Sequence, residues 1–299
     1  MISVREARNW VARELHLSGR TLAEKIARED DRLAAIHSRR RFSHGSRPVI
    51  RWTKGDGLDD PVTRAAIGQA TRLFGNKVDY CLCTNQISPE RARSLLEWAT
   101  EPVEWWLLSP NDNPPLAAAL EAAGCAAEHF GYWWKWFPER ARESGAEWIL
   151  DGDMVVTGAP SWFDQWAQGH DLCRVTQDDR WPLDGLYGNY VDLVDEKQRL
   201  YSGLISLPPQ LHYMQHIEAI FAAKPLALGH DGRRDMCEQG VIATAFQRLK
   251  PLPIPLYEFP FGRAFEDVID YGLRGDQGVA WGYIILDMPS GATIRISGD

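Results

Sequence analysis

Apolar positions recur with two different periods along this chain, and the change from one to the other marks its organisation. In the first ~45 residues Val4, Ala7, Val11 and Leu15 follow three- and four-residue spacing, as do Leu22, Ile26, Leu33 and Ile36, which predicts helix. Ser18-Gly19 breaks the pattern into a helical hairpin. Arg39-Arg40-Arg41 closes it, where cations suit a helix C-terminus. The same arginine run also fits docking on an anionic membrane surface or an acidic partner.

From Pro48 short apolar runs alternate with helical segments. Strands are expected at Val49 to Trp52, Val78 to Leu82, Val103 to Leu108 and Trp148 to Leu150. Helices are expected over residues 61–74, from Ser88-Pro89-Glu90 through Trp98, and from Leu116 to Ala123. This alternation predicts a mainly parallel sheet with helices on its faces. Ligands of such sheets bind at the carboxyl ends of the strands, where Thr53, Asp56, Asn85, Asp151 and Asp153 fall. Beyond Val156 the rhythm weakens, and residues 158–195, rich in Trp, Gly, Asp and Tyr, read as long loops around the site rather than core. A strand at Leu200 to Leu207, helices at His212 to Ala222 and Met236 to Leu249, and strands at Trp281 to Leu286 and Thr293 to Ile296 complete the pattern. The expected organisation is a helical extension over 1–47 and one α/β domain over 48–299. Within that domain, the regular alternation covers 48–156 and the weaker pattern 157–299.

The segment Glu147-Trp148-Ile149-Leu150-Asp151-Gly152-Asp153-Met154-Val155-Val156 carries the strongest chemical signal. Two ionised carboxylates ~4 Å apart repel by roughly 4 kcal/mol at an effective dielectric of 20, so a positive group belongs between them. Glycine allows backbone or ligand to approach closely. Mg²⁺ and Mn²⁺ favour oxygen ligands, typically one or two carboxylates together with substrate phosphates. The unit therefore predicts a metal–diphosphate site at the end of a buried strand.

Three further segments extend this picture: Tyr132-Trp133-Trp134-Lys135-Trp136-Phe137-Pro138, Tyr201-Ser202-Gly203-Leu204-Ile205-Ser206 and Cys237-Glu238-Gln239-Gly240. With the Asp-x-Asp unit, their order and spacing resemble the GT-A type glycosyltransferases over roughly residues 49–250. The first resembles the aromatic-Lys helix start of several branches. The second resembles the Asn-Ser-Gly strand lining the donor-sugar pocket, with tyrosine in place of asparagine. The third resembles the acidic-Gln helix start that faces donor and acceptor.

That resemblance implies a GT-A-like fold, with 48–156 as its nucleotide-binding half and 157–299 as its acceptor-binding half, and a metal-dependent transferase using a nucleoside diphosphate sugar, UDP-sugars being the commonest, with Mn²⁺ or Mg²⁺. Its acceptor would be a saccharide or glycoconjugate. Asp153 would ligate the metal directly and count among the catalytic groups, with Asp151 contacting ribose or a metal-bound water. Lys135 would pair with a phosphate or with Asp151. Thr53, Asp56 and Asn85 would lie by the nucleotide, and Ser202, Gly203 and Gln239 by the donor sugar. Glu238 would be the catalytic carboxylate: a base in an inverting course, a stabiliser of the anomeric centre in a retaining one. Many members supply a C-terminal histidine to the metal, whereas this chain has none after His230; Asp276, or diphosphate and water, would complete the shell. Trp181 is the preferred acceptor-stacking ring.

Composition narrows the alternatives. Residues 1–51 hold 12 Lys/Arg against 6 Asp/Glu, which leaves −14 for the rest of a chain whose net charge is −8. An acidic body argues against nucleic acid as a partner. No apolar run approaches the ~20 residues of a membrane span, and the five cysteines are scattered, with Cys81 and Cys83 read as packed thiols. A cytoplasmic protein, with peripheral membrane or partner contact through its basic N-terminal helices, is the expectation. A sugar-nucleotide pyrophosphorylase is the competing enzyme reading, against which stands the lack of an Arg/Lys-containing Gly-rich loop beyond Thr53-Lys54-Gly55-Asp56-Gly57. A Trp-rich carbohydrate-binding protein with a degenerate site is the non-enzymatic one.

Overall fold

A computed structural model describes residues 46–55, 60–152, 154–156, 158–177, 183–226, 234–254 and 280–281. The strand–helix alternation is present. β1 (Val49–Lys54) leads through α1 (Asp60–Phe74) to β2 (Asp79–Thr84), then α2 (Pro89–Leu95), β3 (Glu104–Leu107), α3 (Pro114–Ala122) and β4 (Glu147–Asp151). β5 (Val155–Val156), α4 (Phe163–Ala167), β6 (Arg174–Gln177), α5 (Leu183–Tyr187) and β7 (Leu200–Leu207) follow. The described chain continues with α6 (Met214–Ala223), α7 (Arg234–Arg248), β8 (Leu252–Ile254) and β9 (Ala280–Trp281). The N-terminal helices expected over 1–45 and the strand at 293–296 lie outside the described residues.

Seven strands form one sheet in the order β3-β2-β1-β4-β7-β6-β8. Only β7 runs against its neighbours; the other six share a direction. The expected mixed α/β architecture with a mainly parallel central sheet is thus what forms. The three connections from β1 to β4 carry the helices that parallel neighbours require. Strand order reverses between β1 and β4, so their carboxyl ends open the crevice where such sheets bind ligands.

Alternation along each strand sends residues to two cores. Ile50, Trp52, Leu82, Trp148 and Leu150 pack under Ala66, Ile67, Ala70 and Phe74 of α1. Val49, Cys81, Cys83, Ile149, Ile205 and Leu207 face the opposite layer, built by α3, α6, α7 and the 3-10 turn Gly131–Trp136. Asp151 shares the face of Ile149 by the same period and so points toward that second layer.

Two expectations need correction. The described residues within 158–195 are not all loop: they contain α4, β6, α5 and the 3-10 turn Gly188–Leu193, and Trp162, Phe163, Trp166, Tyr187 and Tyr190 are buried. Trp148 lies 4.5 Å from Trp166 and Phe74 stacks on Phe163 at 4.3 Å. Tryptophan contributes most by burying its large apolar area, and these rings do so beneath the sheet. Helix α2 also stops at Leu95 rather than Trp98, because Leu96 and Glu97 turn into tighter bonds to Arg93 O and Ser94 O. Ser88 caps its start, accepting from Arg91 N at 3.2 Å with Pro89 in the first turn. Among the described residues no helix is long and apolar enough to cross a membrane.

Candidate active site

β1 and β4 pair in parallel with Thr53 opposite Asp151, so the two side chains lie side by side near the carboxyl ends of adjacent strands, on the same face. Thr53 is half-buried, and its hydroxyl has no hydrogen-bond partner among the described residues. Gly152 follows Asp151 in a turn closed by Met154 N donating to Asp151 O at 3.1 Å. A Cβ on Gly152 would stand 2.8 Å from Thr53 O. Only glycine lets the end of β4 lie this close to β1. Asn85, buried just past β2, borders the same edge, its Oδ1 3.6 Å from where a Cβ on Gly55 would lie.

The 3-10 turn Gly131–Trp136 delivers Lys135 to this edge from the helical layer. Its ammonium has three protons to donate and meets Asp151 Oδ1 at 2.5 Å, the Ser202 carbonyl, and Ser202 Oγ at 3.3 Å. Lys135 is 5% exposed, whereas the Asp151 side chain retains 30% exposure; the carboxylate therefore opens to solvent while its counter-ion is enclosed. Burial pushes the Asp151 carboxyl above its usual range, and the Lys135 ammonium pulls the other way. The sequence asked for a positive group beside these carboxylates, and at Asp151 the chain itself supplies one.

Ser202 extends the network into the next strand and helix. Its hydroxyl donates to Gln239 Oε1 at 2.8 Å, its backbone N–H reaches the same oxygen at 3.3 Å, and Gln239 Nε2 donates to Leu200 O at 3.0 Å. Gln239 therefore ties α7 to β7 with every contact made through buried groups. One residue earlier, Glu238 Oε1 accepts from the indole Nε1 of Trp136 at 2.6 Å. Gly240 lets α7 pack closely on the end of α5, since a Cβ there would fall 2.2 Å from Tyr187 O. Gly203, expected by the donor sugar, has a packing role on view: a Cβ would meet Met154 Cε at 2.2 Å and Tyr201 Cε1 at 2.6 Å.

Lys135, Asp151, Ser202 and Gln239 thus form one hydrogen-bonded network with Thr53 beside Asp151, and Glu238, bonded to Trp136, adjoins it through its chain neighbour Gln239. Asp153, Asp56, Trp181, His230 and Asp276 lie outside the described residues. Two contributors went unseen in the sequence. In the sequence Trp136 is only one of the aromatics flanking Lys135. Asn113, whose place before Pro114-Pro115 is a helix-start signal, caps α3 by accepting from Leu116 N at 3.4 Å, and its amide donates to Trp136 O at 2.8 Å.

Among the described residues no group of three or more His, Cys, Asp or Glu side chains lies together to hold a metal. The donors present at the β1–β4 edge are nevertheless hard oxygens: the Asp151 carboxylate and the unpartnered Thr53 hydroxyl. Such donors suit a hard divalent ion.

No protein-family model matches this chain, and no curated protein does. Among solved structures it is similar to the galactosyltransferase LgtC in complex with donor and acceptor sugar analogues, at 10% identity over 74% of this chain and 78% of that one, with TM-score 0.45. It is similar to the apo bifunctional glycosyltransferase WbbM at 12% identity, over 80% of this chain but 46% of that one, with TM-score 0.47. Apo mouse xyloside xylosyltransferase 1 is similar at 13% identity over 76% of this chain and 90% of that one, with TM-score 0.46. The chemistry of this chain's site rests on its own residues.

Proposed function

We propose that this protein is a glycosyltransferase that moves a sugar from a nucleoside diphosphate sugar, a UDP-sugar foremost, to a saccharide or glycoconjugate acceptor, assisted by Mn²⁺ or Mg²⁺. One observation carries the reading: a partly exposed carboxylate with its own buried cation stands at the β1–β4 edge, and the same short turn that supplies this cation also holds a second carboxylate, Glu238. Two acids in unlike surroundings can take unlike roles.

Asp151 and Asp153 would hold the metal, which when bound offsets the charge of the departing diphosphate. Lys135 keeps Asp151 oriented and adds a fixed positive charge beside the phosphates. Thr53, with Asp56 and Asn85 near it in sequence or space, lines the nucleotide end. In the transfer, an acceptor hydroxyl oxygen bonds to the anomeric carbon. The carbon–oxygen bond to the diphosphate breaks with its electron pair on the leaving oxygen. In an inverting course Glu238 takes the hydroxyl proton; in a retaining course it stabilises positive charge at the anomeric carbon and the departing diphosphate oxygen takes the proton.

A thermal-shift screen with UDP-, GDP-, CMP- and dTDP-sugars, with and without Mn²⁺, tests this reading. One nucleotide class should raise Tm only when Mn²⁺ is present, by roughly 4 °C at a hundredfold excess over Kd. No response to any nucleotide sugar contradicts it.

A further inference from the structure

The turn Gly131–Trp136 places two consecutive side chains on the two acids of the site: Lys135 on Asp151 and Trp136 on Glu238. An indole N–H only donates. The 2.6 Å contact therefore makes Glu238 Oε1 an acceptor and restrains the position of that oxygen. Trp136 is itself immobilised. Its ring is fully buried, edge-on to Tyr213 at 5.7 Å and tilted against Phe246 at 6.2 Å, and its carbonyl is held by Asn113 Nδ2 at 2.8 Å. Lys135 Nζ lies 5.6 Å from the same ring, which makes this indole the shared wall between the two polar contacts.

We propose that Trp136 is a positioning residue for Glu238, orienting that carboxylate for the transfer step through its indole N–H. The inference rests on the transferase reading above. A purely structural account is simpler: a buried Trp needs an acceptor and Glu238 happens to supply it. The two accounts differ in a measurable way. Loss of a positioning bond lowers turnover only while the carboxylate it positions is present. Loss of mere packing acts whether or not that carboxylate is there.

The test is a double-mutant cycle of Trp136→Phe and Glu238→Gln, read as release of UDP from UDP-glucose and UDP-galactose with Mn²⁺ and water as acceptor. Trp136→Phe should lower kcat about ten- to a hundredfold, the range a hydrogen bond to a charged group spans. The donor KM should move less than about twofold, the pattern of an interaction made in the transition state. In the Glu238→Gln background Trp136→Phe should cost less than about twofold more, because the two residues act as one unit. Should Trp136→Phe fail to fold, Trp136→Met, a flexible gap-filler, takes its place with the same outcomes. An unchanged kcat, or an equal loss in both backgrounds, overturns the proposal while leaving the transferase reading intact. A Glu238→Gln enzyme with full turnover, or a wild-type protein that releases no UDP, overturns the reading of the site and this inference with it.

Discussion

Single side chains in this protein owe their properties to where the sheet puts them. Lys135 has its three protons matched by two oxygens of Ser202 and one of Asp151, and this is why a cation can remain in a nearly dry setting. At a buried cysteine, desolvation outweighs the neighbouring charges. Cys173 sits beside β6, and burial pushes its thiol up to about 12 from 9.0. Between those values the unfolded chain ionises this thiol and the folded chain does not. Its contribution is therefore intact below pH 9.0 and declines as pH rises toward 12, at roughly 1.4 kcal/mol per pH unit within that window. Cys173→Val should accordingly lose stability less steeply across this window than wild type in denaturant melts; parallel curves contradict this. Residue-scale chemistry was legible where the chain packs it densely. The Asp151-Gly152 unit and Lys135 announce themselves by type and spacing. The bond from Trp136 to Glu238 joins residues 102 positions apart, and no local signal encodes it.

At the scale of elements, an ion cluster fixes the strands beneath the site. Glu147 opens β4 and is fully buried, 2.8 Å from Arg51 Nε on β1 and 3.1 Å from Arg140 Nε. Arg140 also donates to Pro208 O, Leu211 O and Gly145 O at 3.0, 2.8 and 2.7 Å, and Arg51 donates to Pro138 O at 2.7 Å. One carboxylate thereby anchors the segment after the 3-10 turn to both β4 and the exit of β7. Removing it leaves two buried guanidinium groups uncompensated, so Glu147→Ala should destabilise the fold by roughly 3–5 kcal/mol. A chemical-denaturation loss under ~1 kcal/mol would rule out this role. Helices and strands with a clear period, such as α1, β1 and β7, were visible in the sequence to within a few residues. Residues 158–195 were not. Their Trp, Tyr and Gly follow no single period, because short helices and 3-10 turns give each ring its own burial direction. A polar residue such as Glu147 inside an apolar run likewise marks a buried cluster only once its arginine partners are known.

For the whole molecule, both sequence halves contribute to one sheet, with β1 to β4 from the first and β6 to β8 from the second. Alternation of apolar runs predicted the parallel part. The reversed direction of β7 could not be read, since an apolar strand of Leu204-Ile205-Ser206-Leu207 has no polarity of its own. That reversal matters for the site, because it runs the start of β7 alongside the end of β4 and so places Ser202 within reach of Lys135 and Asp151. The account stands on this convergence, and one calorimetric comparison tests it most directly. UDP-glucose should bind wild type only in the presence of Mn²⁺, and Asp151→Asn should weaken that binding at least about tenfold, a difference of about 1.4 kcal/mol. Equal affinity in the two proteins, or binding unaffected by Mn²⁺, would contradict the assignment of Asp151 to a metal-assisted diphosphate-sugar site.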